Sequence, residues 1–150
     1  MDTLSHSVLH RRGEQSDGVS RQEQVSIDFV VNGASLLKEL VQSSGGHSDF
    51  VGRLVKGQPQ SRIEAISKLS AQLPPDTETK RVILYSCPEC GDIGCGAYTA
   101  IIERFEDAYV WRSFAYENGY EPAAVVAAVG PFRFDSRQYD SAVSNAANAL

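Results

Sequence analysis

Two β-rich runs, "GAYTAIIERF" and "AYVWRSFAYEN", face each other across Glu106-Asp107, and no other stretch restricts the fold as strongly. β-Branched and aromatic residues in such density suit a pleated surface buried on one side. With Glu106-Asp107 as the turn, Ile102 falls opposite Trp111 and Tyr98 opposite Ala115 on one face, while Glu103 and Arg112 lie diagonally on the other. That register predicts an antiparallel hairpin with a continuous core face. Glu-Asp is not a favoured two-residue turn, so a longer loop with a shifted register is the alternative.

The hairpin is preceded by "RVILYSC", apolar on both faces, which predicts a central strand. Upstream, "QVSIDFVV" alternates: Val25, Ile27 and Phe29 point one way and Ser26 and Asp28 the other, as in a half-buried strand. Helices follow from the 3.6-residue period. Ser35 is placed to cap a helix over about 34–42 that carries Leu36, Leu37, Leu40 and Val41 on one face. Ile63, Ile66, Leu69 and Leu73 predict a second over about 61–73, with Glu64 and Lys68 as an i,i+4 pair and Pro74-Pro75 as its stop. A third, over about 136–148, opens on Asp135 and Gln138 as a capping box after the strand-like "PFRFD" and presents Tyr139, Ala142, Val143 and Ala146 together. "EPAAVVAAVGP" reads as a short apolar helix with Pro122 first and Gly130 just past its end. Residues 1–24 are polar with scattered apolar side chains and read as a disordered tail ahead of one domain over 25–150. The expected class is α+β: a mostly antiparallel sheet of about four to five strands with about three packed helices.

With 14 Lys and Arg against 19 Asp and Glu, the net charge of −5 disfavours nonspecific attachment to nucleic acid or anionic lipid and favours solubility or a basic partner. The longest apolar run, Ala123 to Val129, is far too short for a membrane span, and the N-terminus lacks the apolar core of a signal peptide. The expectation is a cytoplasmic protein that binds neither nucleic acid nor membrane.

All three cysteines lie in "CPECGDIGC". Cys87, Cys90 and Cys95 are close enough for three thiolates to converge on one ion, with zinc the candidate and Asp92, Glu89 or His47 the fourth ligand. A C-x-x-C pair with a third, resolving cysteine also fits dithiol–disulfide exchange. The plain alternative is small buried side chains at strand ends. All three readings stay open at this point. A second candidate site is a binding surface of Trp111, Phe114, Tyr116, Glu117, Asn118 and Tyr120, weighed against core packing for the aromatics and an Asn118-Gly119 turn for the rest.

"CPECGDIGCG", "WRSFAYENGY" and "GPFRFD" together resemble a family of small bacterial proteins with CPECGD-x-GCG, W-x-x-F-x-x-x-N-x-Y and GPF-x-FD segments, over about residues 25–145. The resemblance implies a bacterial source and a shared domain, and it ties Cys87, Cys90, Cys95, Trp111, Asn118, Tyr120, Phe132 and Asp135 to one pattern; it implies no activity. The leading expectation is a small acidic binding protein with a protein partner, of the inhibitor or immunity type. The alternative is a thiol-dependent protein, zinc-bound or oxidoreductase-like, working through the cysteine cluster.

Overall fold

The computed structural model describes all residues except 17–18, 22, 47–48 and 88–92, and the side chains of all but 14–22, 47–48 and 88–93. Strand β1 (Leu4–Arg11) is followed by β2 (Glu14–Ser16), β3 (Val19–Arg21), β4 (Gln24–Val31), β5 (Ala34–Ser35) and helix α1 (Leu36–Ser44). Next come β6 (Val51–Gly52), α2 (Pro59–Leu69), β7 (Val82–Ser86), a 3₁₀ turn at Ile93–Cys95, β8 (Ala97–Arg104) and β9 (Ala108–Glu117). Strands β10 (Ala124–Val125) and β11 (Phe132–Asp135) and helix α3 (Ser136–Asn148) complete the chain. Among the described residues, three helices pack on two antiparallel sheets, ordered β1-β4-β5 and β10-β9-β8-β7-β6 with β11 also on β9, and β2 pairs with β3 in a further two-stranded ladder. The class is the expected α+β, with more strands than the sequence suggested.

The central hairpin has the anticipated turn: Phe105 N–H donates to Ala108 C=O, leaving Glu106 and Asp107 at the tip. Ile102 pairs with Trp111 as expected. The ladder then shifts between Thr99 and Ile101, so Tyr98 meets Tyr116 rather than Ala115. A bulge of this kind adds one residue to one strand and leaves both core faces inward. Arg112 Nε reaches Glu103 at 2.6 Å on the solvent side, in agreement with their diagonal placement.

Residues 1–24 depart furthest from expectation. Instead of a disordered tail, Leu4–Arg11 form β1, paired antiparallel to β4 along its whole length, with Leu4 in the core. Arg11 faces Gln24 and Glu14 faces Arg21, so β2 and β3 continue that ladder in the same register. Few apolar side chains are needed because the backbone ladder and a neighbouring helix hold the strand. The Gln138 side chain accepts from Leu4 N–H at 3.0 Å and donates to Leu4 C=O at 2.6 Å, standing in for one more strand. Asp135 caps α3 by accepting from Gln138 N–H, which completes half of the expected capping box and frees the Gln138 amide for β1.

Two further expectations are corrected. "EPAAVVAAVGP" is no helix: β10 pairs with Ala115 and Tyr116, and Val126 N–H donates to Phe114 C=O, so the open edge of β9 draws this segment into the sheet. Strand β4 is buried on both faces around Ser26–Phe29. Its polar side chains are taken up internally, with Ser26 Oγ accepting from Gly52 N–H and Asp28 bonded to Tyr85. The two sheets meet here. Ile27 N–H donates to Leu54 C=O and Lys56 N–H to Val25 C=O, and a Cβ on Gly52 would stand 2.0 Å from Ile27 O, so only glycine lets the backbones approach.

The core gathers Leu36, Leu37 and Leu40 of α1, Tyr139, Ala142, Val143 and Ala146 of α3, and the inner faces of both sheets. Trp111 is at its centre, edge-on to Phe29 and Phe134 at 5.3 Å each. Its indole N–H donates to Tyr139 Oη at 3.0 Å, and that hydroxyl donates to Leu69 C=O at 2.6 Å. Helix α2 ends at Leu69, before the expected Leu73, which is exposed.

Candidate functional site

The six proposed surface residues do not form one surface. Trp111 and Phe114 are fully buried and build the core: Trp111 packs against Phe29 of β4 and Tyr139 of α3, and Phe114 against Phe132 of β11. Tyr116 is half-buried beneath the exit of the cysteine loop, beside Tyr98 at 5.6 Å and Phe50 at 6.5 Å. A Cβ on Gly96 would stand 2.2 Å from Tyr116 Oη, so the backbone at Gly96, at positive φ, passes close over this ring as only a glycine can. Glu117 is buried, its two carboxylate oxygens accepting from Thr79 Oγ1 at 2.7 Å and Thr99 Oγ1 at 2.6 Å; it fastens the 76–80 loop to the sheet. Asn118 forms the turn, its Oδ1 accepting from both Tyr120 N–H and Glu121 N–H at 3.0 Å. Tyr120 alone is open, with 85 % of its surface accessible. Val125 on the adjoining edge strand β10 is 56 % accessible.

In the cysteine loop, Cys95 is disulfide-bonded and Cys87 is a half-buried thiol at the end of β7. Cys90, Glu89, Asp92 and His47 lie outside the described residues. Among the described residues no three His, Cys, Asp or Glu side chains converge as metal ligands. Three thiolates on one zinc therefore require the reduced form of the loop.

Cys87 opens onto a cleft of about 500 Å³ between α2 and the β6–β7 edge. Gln58 at the N-cap of α2 and Ser61 and Glu64 within the helix line one wall, and Val51, Ile83 and Ser86 line the other. Arg53 and Asp76 enter from the loops. Asp76 is a hub: Oδ2 accepts from Ile83 N–H at 2.8 Å and meets Arg53 at 3.2 Å, and Oδ1 meets Lys68 at 3.4 Å. The expected Glu64–Lys68 pair gives way to this arrangement, since Lys68 reaches Asp76 instead. Sequence reading missed the cleft; its one signal is the polar stripe Gln58, Ser61, Glu64 at three-residue spacing.

A second polar cluster centres on the buried Asp28 and Tyr85. Asp28 Oδ1 accepts from Tyr85 Oη at 2.6 Å and Oδ2 from Ser35 Oγ, and Ser35 Oγ accepts in turn from Lys38 N–H as the cap of α1. Burial, reinforced by the Asp28 carboxylate, pushes the Tyr85 hydroxyl well above its ordinary pKa. Burial also raises Tyr139.

The architecture defines an α+β protein, with antiparallel sheets and packed helices. No protein-family model, curated protein or solved structure matches the chain. No helix among the described residues is long and apolar enough to cross a membrane.

Proposed function

We propose that this chain is a protein-binding module that docks a basic partner through the strip formed by Tyr120 and Val125 at the β10 edge. The observation that supports it is the Tyr120 ring, exposed yet mounted on a turn fixed by two hydrogen bonds to Asn118. A large aromatic carried on a fixed backbone turn has only its own few side-chain torsions to order on contact, which makes it an efficient anchor. Beside it, β10 ends the six-stranded sheet, so a partner strand can add there with side-chain contacts to Val125. The net charge of −5 selects a basic partner, and an inhibitor or immunity role in the cytoplasm is the specific form of this reading.

Replacing Tyr120 with a photo-crosslinking phenylalanine in the source cells tests it. One dominant basic protein should crosslink there and not from Phe105, an exposed aromatic at the β8–β9 tip. Equal, scattered crosslinking from both positions would refute the docking strip.

One observation favours a second reading, thiol work at Cys87, Cys90 and Cys95: Cys95 is disulfide-bonded while Cys87 is a thiol beside a cleft. In a reducing cytoplasm, disulfides are mostly transient and redox-active. Elemental analysis and thiol counting on reduced protein separate its forms. One zinc per chain marks a metal loop, whereas metal-free protein that reversibly gains a disulfide marks an oxidoreductase-like one. A triple Cys→Ser variant with full native function excludes both.

A further inference from the structure

We infer that the cleft between α2 and the β6–β7 edge is a binding site for a small zwitterion, an amino acid or short peptide, whose carboxylate meets Arg53 and whose ammonium meets Glu64. This site is separate from the proposed docking strip, because β6 and β10 are opposite ends of the six-stranded sheet. Its volume of about 500 Å³ is that of a small-molecule pocket and too small for a folded partner.

The charges decide the class of ligand. Asp76 is shared between Arg53 at 3.2 Å and Lys68 at 3.4 Å, so one carboxylate serves two cations and the cluster keeps a surplus positive charge, with Arg53 the cation that lines the cleft. Glu64 faces the same space from α2 and is exposed, with Lys68 drawn away to Asp76. A simple anion would be repelled by Glu64 and a simple cation by Arg53, whereas a ligand with both charges satisfies the two walls at once. Val51 and Ile83 supply an apolar patch for a side chain, and Ser61 supplies a hydroxyl for hydrogen bonding.

Cys87 lines the cleft and serves as the reporter. The full-length chain is alkylated with iodoacetamide, and labelling at Cys87 is followed by peptide mass spectrometry. The reaction is run alone and with millimolar amounts of each of the common amino acids and of a set of glycyl dipeptides. At least one zwitterion should slow labelling, while its decarboxylated amine and its N-acetylated acid should not. Glu64→Gln, on an exposed helix position that leaves the fold intact, should weaken this protection about tenfold, the loss expected of a charge-assisted contact. Arg53→Gln should do the same and Arg53→Lys should restore part of it. The site is overturned if no member of the panel slows labelling, if the amine or the N-acetylated acid protects equally well, or if protection survives Glu64→Gln unchanged.

Discussion

Asp28 is a carboxylate placed almost entirely inside the protein, and its partners account for its position. Its oxygens accept from the Tyr85 and Ser35 hydroxyls, and Ser35 passes the chain of hydrogen bonds on to the first turn of α1. Asp28→Ala leaves both hydroxyls without that acceptor and opens a small void; a loss of about 3 kcal/mol is expected in urea unfolding. Tyr85 and Tyr139 add a pH dependence. Both keep their protons in the folded chain above the ordinary value of 10.0 at which the unfolded chain loses them. Stability from these groups is therefore complete below pH 10 and falls as the pH rises past it. Urea midpoints measured from pH 8 to 11 should decline above pH 10, and Tyr85→Phe should decline less steeply; identical slopes would show that Tyr85 does not contribute. The alternation in "QVSIDFVV" correctly marked a strand but sent Asp28 to solvent, because nothing local shows that the tyrosine of β7 will cover that face. For the same reason the sequence left Trp111 and Phe114 open between core packing and a binding surface, since an aromatic strand carries no mark of which face distant elements will cover; both are buried.

Among the elements, those with local grammar were legible. Ser35 and Asp135 cap the helices they were expected to cap, and the four expected apolar residues of α3 are buried. The Glu106-Asp107 turn and the Ile102–Trp111 pair were readable for the same reason, since hairpin register depends on residues close in sequence. Elements held by distant partners were not. β1 depends on β4 and on Gln138, 134 residues beyond Leu4, and β10 depends on β9. Gln138→Ala removes two hydrogen bonds from β1 while Asp135 still caps α3. Amide exchange should accelerate selectively in residues 4–8, with about 1–2 kcal/mol lost overall. Exchange that speeds equally along α3 would instead assign Gln138 to the helix.

At the scale of the molecule, the two sheets share one core, and the first strand is part of it. Deleting residues 1–12 removes β1, exposes the paired edge of β4 and uncovers the α3 residues beside Leu4. The truncated chain should melt well below the full one or fail to fold, whereas removal of a dispensable tail would leave the melting temperature unchanged. The candidate sites divide at this scale too. Tyr120 was legible because a turn signal puts its residues outside. The cleft was not, because its walls come from α2, β6, β7 and the loop of Asp76.

The bond between Gln138 and Leu4 also shapes what the molecule avoids. An open strand edge is an invitation to another copy, and chains that accept it along a full strand can stack without end. Here the first rung of the ladder is already occupied by a side chain that no incoming strand can displace without breaking two hydrogen bonds. A visitor can reach only the rungs beyond Leu4, so pairing along the whole of β1 is denied. One glutamine thus holds the strand in place and also guards the sheet against fibre growth.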